Sequence, residues 1–386
     1  MKRGKDNIFG NGEEILFGVI VLVSFVIPHT STLLLLVNPL LCLLLFLKKK
    51  DKSIQLFGLI PVAAVLMSFL LNVSGEADSK SALTAVTIML YIIAFPFVEN
   101  VKLKNTYIYL CFGVIFLSQV CYMFHIGWAI QLIEKYYPMS WGERMITYAN
   151  EHVTIRNFSL FRLGGLYHNP NQCAKYITLL MAIFLVNNKN KQISKQSLFL
   201  VLSFIGIMMT GSRTGFVVAA TLMLMSYWTN GKMSKPIKIL SIFAILVYVV
   251  YSIIQGSSSR SLDIVDGLDG SLFAKAKLVL YYLKTETSAL ALIFGHLDLQ
   301  LFQSPFTYSL DCEYGYILYC YGFVGLISFA IYYFQLYKRI ESSDRFFMFF
   351  LLWMLTSSVF MAYRTSFVFM LVCSSIYNRQ NSFVKS

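Results

Sequence analysis

Residues 13–50 read EEILFGVIVLVSFVIPHTSTLLLLVNPLLCLLLFLKKK, two apolar runs followed by a block of lysines. Each run is close to the roughly 20 residues that a helix needs to cross a bilayer. Pro28 favours a break between the runs, because proline lacks a backbone N–H and disrupts a continuing helix. We therefore predict two consecutive membrane spans that return the chain to the side where the lysines lie.

The rest of the chain repeats this pattern. Of its 386 residues, 57% are hydrophobic and only 13% are charged, against about 25% charged in soluble domains. This composition excludes a soluble enzyme and predicts an all-α integral membrane protein, a single polytopic domain of residues 1–386 with about 12 transmembrane helices. The predicted spans are 13–29, 30–47, 54–72, 83–98, 106–124, 171–186, 197–210, 215–229, 238–254, 313–337, 346–361 and 366–378.

The basic residues predict the orientation of these spans, because cytoplasmic loops of membrane proteins are rich in Lys and Arg. Twenty of the 32 basic residues lie in the two termini and in every second connection. Both termini are therefore predicted to be cytoplasmic, and the long segments 125–170 and 255–312 to be outer loops. The net charge of +13 is then a topology signal, and nucleic acid is not expected as a partner.

Motifs for several kinds of chemistry are missing from the sequence. The seven cysteines are scattered without C-x-x-C spacing, and no helix carries two histidines at metal-binding spacing. There is no Walker-type phosphate loop and no G-x-S-x-G elbow. We therefore expect no metal and no other cofactor.

Cationic residues are instead predicted at the outer ends of the spans. Arg162 precedes the span at 171–186, Lys175 lies one turn inside that span, and Arg213 and Arg364 occupy short outer turns. Arginines at one depth would suit a lipid-linked phosphate or diphosphate, because guanidinium offers paired donors and stays charged. The alternative for each arginine is an anchor to lipid headgroups.

The most specific stretch is RLGGLYHNPNQCA, residues 162–174, which has the character of a turn that opens a helix. Asn169-Pro170 favours a turn, and Asn171 is expected to cap the following helix. The free N–H groups at a helix start also favour an anion. An ordinary loop-to-helix connection remains the alternative.

Three blocks in order resemble the O-antigen ligase and polymerase (Wzy/WaaL-like) superfamily. The first is R-x-x-G with N-P-N-x-x-A at residues 162–174, and the second is G-S-R-T-G at 211–215. The third joins F-G-H at 294–296 to D-C-E-Y-G-Y at 311–316 and Y-G-F-V-G at 321–325. The similarity covers roughly residues 150–335. Ligases tend to carry a histidine where Asp311 stands, so this chain is more similar to a Wzy-type repeat-unit polymerase.

The resemblance implies a metal-independent glycosyltransferase of GT-C-like architecture at the outer face of the cytoplasmic (inner) membrane. Such an enzyme would transfer a growing undecaprenyl-diphosphate-linked glycan onto a lipid-linked repeat unit of an O-antigen, capsule or exopolysaccharide. Its partners would be the lipid-linked donor and acceptor, membrane lipid and a candidate chain-length regulator. A ligase of the same superfamily is the first alternative. A lipid-linked oligosaccharide flippase or other transporter, and a non-enzymatic membrane scaffold, follow.

The expected catalytic group is a base that takes the proton of the acceptor hydroxyl. Asp311 is the first candidate, His168 the second and Glu313 the reserve, although Asp311 could equally cap the helix that follows it. The expected substrate-binding residues are Arg162, Asn169, Asn171, Lys175, Arg213, Arg364 and His296.

Overall fold

A computed structural model describes residues 12–27, 44, 56–72, 86, 89, 92, 101, 103–137, 163–167, 170–189, 197–229, 270–297, 312–355, 357 and 363–377. These residues are mostly helical, and no strand occurs among them. The helices are α1 (Gly12–Val26), α2 (Leu59–Asn72), α3 (Asn105–Met123), α4 (Gly127–Tyr136), α5 (Pro170–Asn187), α6 (Ser197–Met209), α7 (Arg213–Thr229), α8 (Gly270–Thr285), α9 (Ala289–Phe294), α10 (Glu313–Arg339) and α11 (Tyr363–Ser375). Leu56–Gly58 and Ser342–Leu355 form 3₁₀ helices.

The predicted helical character is confirmed where the chain is described. Two helices, α3 and α10, are long and apolar enough to cross a membrane, and α2, α6 and α11 contain shorter apolar stretches. The span predicted at 346–361 is a 3₁₀ helix that begins earlier and ends at Leu355. The spans predicted at 30–47, 83–98 and 238–254 lie almost wholly outside the described residues.

Three helices lie inside segments that the sequence suggested were loops. Helix α4 falls within 125–170, and helices α8 and α9 fall within 255–312. Helices α4 and α8 mix polar and apolar residues, and α9 is only six residues long. Neither the amphipathic helices nor the six-residue helix contains a long apolar run, so the apolar pattern of the sequence does not predict them.

The described residues divide into two compact units. The first comprises those of Met1–Lys48, Asn100–Ser241 and Ser342–Phe350. Its central helix is α5, whose residues Cys173 to Val186 are all buried, and which packs against α3, α6 and α7. An aromatic contact also joins α5 to α1, with the ring centroids of Tyr176 and Phe25 5.1 Å apart.

The second unit comprises the described residues of Lys49–Glu99, Ile242–Glu341 and Leu351–Ser386. It is built on α10, which packs against α2, α8 and α9. This helix is kinked at Gly322, whose backbone angles are φ 64° and ψ −168°. At its far end, Arg339 donates a hydrogen bond of 2.9 Å to the hydroxyl of Tyr377.

Candidate functional site

The turn between α6 and α7 in the first unit fixes the position of Arg213. Gly211 has a φ of +60°, which glycine adopts without steric cost. The hydroxyl of Ser212 accepts a bond of 3.2 Å from the backbone N–H of Gly215, the usual role of a helix N-cap. Arg213 is therefore the first residue of α7, in the tight turn that the sequence predicted. The helix dipole disfavours a positive charge at the N-terminal end of a helix. The charge of Arg213 therefore does not stabilise α7.

The starts of α5 and α7 pack directly against each other. A Cβ added to Gly215 would lie 2.8 Å from the Cβ of Ala174, a separation too short for two side-chain carbons. Glycine at 215 and a small residue at 174 therefore let the two helices approach. Asn171 and Lys175 lie on either side of Ala174 in the first two turns of α5. The contact therefore places them where the N-terminal ends of α5 and α7 meet, and Arg213 is the first residue of α7.

Two of these residues differ in detail from the sequence expectation. Helix α5 begins at Pro170, where proline is favoured because its missing N–H would have no partner in the helix. Asn171 is then the second helical residue rather than the cap. The side chain of Lys175 is only 2% exposed, so this lysine belongs to the interior of the unit.

The glycine turn that follows Arg162 docks onto α3 and α6. The backbone N–H of Leu163 donates to the carbonyl of Met209 at 2.7 Å. The amide of Gln119 donates to the carbonyls of Leu163 and Gly206 at 3.1 and 3.0 Å. Gln119 thus ties the turn to α6, four residues or more before Arg213. Gln119 could not be predicted from the sequence, because a polar residue within an apolar helix carries no motif.

A serine completes this attachment. The backbone N–H of Leu166 donates to the hydroxyl of Ser118 at 3.1 Å. Gly165 has a φ of +59°, and a Cβ there would lie 2.4 Å from that hydroxyl. Gly165, the glycine that closes the R-x-x-G block, is therefore required by a close contact with α3.

The third motif forms a backbone-to-backbone contact in the second unit. The N–H groups of His296 and Leu297 donate to the carbonyls of Tyr319 and Cys320 at 2.8 and 2.9 Å. These carbonyls belong to the turn of α10 before the kink, where the regular helical hydrogen bonding is interrupted. The hydroxyl of Ser68 also donates to the carbonyl of Cys320, at 2.8 Å.

Two glycines make this contact close. Gly295 has a φ of +80°, and a Cβ there would lie 2.3 Å from the carbonyl carbon of Cys320. A Cβ on Gly322 would lie 2.2 Å from the carbonyl oxygen of Ile293. The F-G-H and Y-G-F-V-G segments, separated in sequence, therefore form one structure.

The imidazole of His296 lies beside a carboxylate that the sequence analysis did not identify. Its Nε2 is 2.7 Å from Oε2 of Glu286, with 27% of the histidine side chain and 15% of the glutamate side chain exposed. The imidazole stacks on the ring of Tyr319 with centroids 4.8 Å apart, and the ring of Tyr282 meets its edge at 6.1 Å. No sequence pattern indicates this pair, because Glu286 precedes α9 and His296 follows it, ten residues later.

The pKa values of Glu286 and of the neighbouring Tyr282 are both shifted. Burial alone would raise the pKa of Glu286, but bonds from the Ser288 backbone and the His296 ring outweigh it, and the pKa is lowered from its ordinary 4.5. Burial first, and then the Glu286 charge, raise the pKa of Tyr282. Glu286 is thus a carboxylate at neutral pH, and Tyr282 a neutral phenol.

Each of the remaining predicted site residues either belongs to one of the two compact units or lies outside the described residues. Glu313 is the first residue of α10 and is 1% exposed. Arg364 is the second residue of α11, also in the second unit. The N-cap position of α10 belongs to Cys312. Arg162, His168, Asn169 and Asp311 lie outside the described residues.

Asn171, Lys175 and Arg213 therefore belong to the first unit, and His296, Glu313 and Arg364 to the second. No group of three or more His, Cys, Asp or Glu residues that could hold a metal ion occurs in the described part of the chain. Compared with known protein families and curated proteins, the chain matches no family model and no curated protein.

Proposed function

We propose that this protein is a membrane-embedded glycosyltransferase that polymerises lipid-linked repeat units, as the Wzy/WaaL-like resemblance implies. The observation that carries the proposal is the convergence of the first two sequence blocks. The R-x-x-G turn is bonded to the end of α6 through Leu163 and Met209, and the S-R-T-G turn packs on the start of α5 through Gly215 and Ala174. Segments distant in sequence thus meet around Arg213.

This arrangement suits an anionic lipid phosphate. The starts of α5 and α7 lie close together, and helix starts favour anions. Arg213 adds paired guanidinium donors, which match the oxygens of a phosphate. Arg162, another arginine expected to bind substrate, directly precedes Leu163 in the sequence and lies outside the described residues. Undecaprenyl diphosphate, the expected leaving group, has phosphate oxygens of this kind.

Apolar faces on two helices support a position in the membrane. On α3, Leu110, Val114 and Leu117 are exposed at the spacing of one helical face, and α10 exposes a similar stripe formed by Phe323, Ile327, Ile331 and Phe334. Contiguous exposed apolar surface of this kind marks contact with another apolar phase. A membrane supplies that phase for both helices, and we propose that it is the cytoplasmic membrane.

The amphipathic helix α4 supports the same placement. It follows α3 closely and exposes Trp128, Leu132 and Tyr136 along one face. Trp and Tyr are enriched where a membrane meets water, and an amphipathic helix lies naturally in that plane. We propose that α4 rests on the outer surface of the membrane, within the outer loop 125–170.

Polar contacts in the first unit support the predicted orientation. Lys104 pairs with Glu14 at 3.6 Å and Lys189 with Asp344 at 3.0 Å, and all four residues belong to the predicted cytoplasmic side. The turn at Leu163 bonds to Gln119 and Met209, which lie near the predicted outer ends of α3 and α6. We propose on this basis that both termini are cytoplasmic in a topology of about 12 spans.

The proposal is tested by replacing Arg213 in cells that depend on this gene for their surface polysaccharide. Losing one partner of a buried charged contact costs about 2–5 kcal/mol, so Arg213→Ala should shorten or abolish the polymer. Arg213→Lys should remain impaired, because lysine keeps the charge but loses the planar fork. Polymer length is read from a gel ladder at matched protein level.

Arg345 provides the control, because it is an arginine on the predicted cytoplasmic side. We expect Arg345→Ala to leave the ladder unchanged. Normal polymer in Arg213→Ala would remove Arg213 from the site and make it a headgroup anchor. Loss of the final attachment step with normal chain length would favour the ligase instead.

A further inference from the structure

The exposed apolar stripe of α10 stops at the kink of that helix. Phe323 and Ile327, on the predicted cytoplasmic side of the kink, are 42% and 59% exposed. The ten residues before them, 313–322, are all buried or half-buried. Helices α2, α8 and α9 pack against α10, and the carbonyl of Ile293 in α9 lies against the backbone of Gly322. In its outer third, α10 is therefore covered by other helices.

Helix α9 supplies exposed apolar side chains where α10 has none. Its sequence, ALALIF, contains no polar residue. Leu290 and Ile293, three residues apart and so on one face of the helix, are 65% and 42% exposed. Because Ile293 lies against Gly322, this face adjoins the point where the stripe of α10 begins. The exposed apolar surface of the second unit thus continues from α10 onto α9.

The packing of α2 places the kink below the outer end of this apolar surface. Helices α2 and α10 run antiparallel, since the Ser68 hydroxyl bonds to the Cys320 carbonyl and the ring of Phe57, just before α2, stacks on Tyr332 at 5.3 Å. Beyond Ser68, toward the outer end of α2, the leucines at 70–71 are 60% and 47% exposed. The apolar surface therefore extends past the level at which the loop after α9 bonds to Cys320.

The other end of α9 is polar. The hydroxyl of Ser288 caps the helix by accepting a bond of 3.2 Å from the N–H of Ala291. Lys284, Thr285 and Thr287, which precede this cap, are all exposed. A lysine can reach lipid phosphates while its apolar stem lies along a hydrophobic surface. Helix α9 thus begins at a link suited to headgroups and water, and ends against the kink.

The loop after α9 meets the requirement for irregular backbone inside a membrane. Lipid offers no hydrogen bonds, so backbone at that depth must bond within the protein. The N–H of Gly295 donates to α9 at 2.7 Å, and those of His296 and Leu297 donate to α10 at 2.8 and 2.9 Å. The carboxylate of Glu286 is bonded to the His296 ring at 2.7 Å. Each N–H of the loop therefore has a protein partner.

We propose that α9 and the loop Gly295–Leu297 form a re-entrant segment in the outer leaflet, with Leu290 and Ile293 against the acyl chains of bilayer lipids. Lipid is the occupant because one apolar phase then covers the continuous surface of α2, α9 and α10. The inference rests on the proposed membrane position of α10 and is independent of glycosyl transfer. The predicted outer loop 255–312 then contributes to the membrane domain.

The test is photocrosslinking of the full-length protein in proteoliposomes of phosphatidylethanolamine and phosphatidylglycerol. The photoreactive residue p-benzoylphenylalanine replaces Ile293, Leu290, Ile327 or Thr285, one position in each variant. Ile327 is the positive control for the stripe of α10, and the exposed Thr285 is the control for the polar link. After irradiation and mild alkaline hydrolysis of lipid esters, mass spectrometry distinguishes a fatty acid left on the protein from a glycerophosphate. Melting temperatures are measured for all variants.

We expect fatty-acid adducts at Ile293 and Leu290 in yields close to that at Ile327 and several-fold above that at Thr285. Adducts at Ile327 but at neither position of α9 overturn the inference, because α9 then lies in water. A cross-link from Ile293 to a second copy of the chain also overturns it, since protein then covers this face.

Two further outcomes separate this inference from the other proposals. If the Ile293 variant does not fold, the Leu290 variant decides by the same criteria. A lack of lipid adducts at Ile327 refutes the membrane position of α10, and the inference with it. None of these results depends on polymer formation, so a failure of the proposed activity is detected separately.

Discussion

The turn Leu163–Leu166 in the first unit and the loop Gly295–Leu297 in the second are both short segments docked on helices, but they are held by different groups. Side chains supply most of the bonds that hold the first, through the amide of Gln119 and the hydroxyl of Ser118, beside one backbone bond from Leu163 to Met209. Backbone groups hold the second, since its N–H groups bond to carbonyls exposed by the kink of α10. A side-chain anchor can be removed by one conservative substitution, whereas a backbone anchor is sensitive mainly to added bulk.

The largest expected effect is therefore at the kink. Gly322→Ala should destabilise the protein by about 3 kcal/mol or more, because the left-handed backbone strains alanine and its Cβ would meet the Ile293 carbonyl, which cannot move aside. The measurement is the melting temperature of purified protein. Gly113→Ala in α3 is the control, since nothing lies within 4 Å of a Cβ there. Equal melting temperatures for the two variants would refute the backbone anchor.

A smaller effect is expected for the side-chain anchor. Ser118→Ala should destabilise the protein by about 1–3 kcal/mol, because the buried N–H of Leu166 loses its acceptor. Ser328→Ala in α10 should cost less, because the Ser328 hydroxyl bonds only to a carbonyl of its own helix. Thermal unfolding of the two variants compares buried serines in two similar helices. A larger loss in Ser328→Ala would show that the turn is not held by Ser118.

The smallest expected effect is a pH dependence in the second unit. The pKa of Glu286 is lowered from 4.5 in the folded protein, so the unfolded chain binds its proton first as the pH falls. The stability that this carboxylate adds is complete above its unfolded pKa and is lost as the pH drops below about 4.5 toward the lower folded value. Melting temperatures from pH 6 to pH 3 should therefore fall more in wild type than in Glu286→Gln. Parallel curves would contradict the carboxylate's contribution.

The parts of the fold that can be predicted from the sequence are those that depend on local residue patterns. The apolar runs locate α3 and α10 within a few residues, and Gly211-Ser212-Arg213 predicts the turn that joins α6 and α7. Hydropathy does not reveal α4, because its apolar residues occupy only one face. Nor does it reveal the partner of a side chain, since that depends on tertiary packing.

The candidate site divides in the same way. Arg213 follows from a motif and is found in the predicted turn. Lys175 follows from the same reasoning but is buried inside the first unit, because α5 is enclosed by other helices on all sides, which its sequence does not indicate. Gln119 and Glu286 escape prediction, since each is a single polar residue whose role depends on a segment remote in sequence.

The proposed activity is tested most directly by its products. Purified protein in nanodiscs is supplied with undecaprenyl-diphosphate-linked repeat units as the only substrate, and glycan length and free undecaprenyl diphosphate are measured together. The proposal predicts a ladder of lipid-linked oligomers with one undecaprenyl diphosphate released for each new glycosidic bond, and neither product with Arg213→Ala. Repeat units that cross the bilayer unchanged, or that join only to a different acceptor, would contradict it.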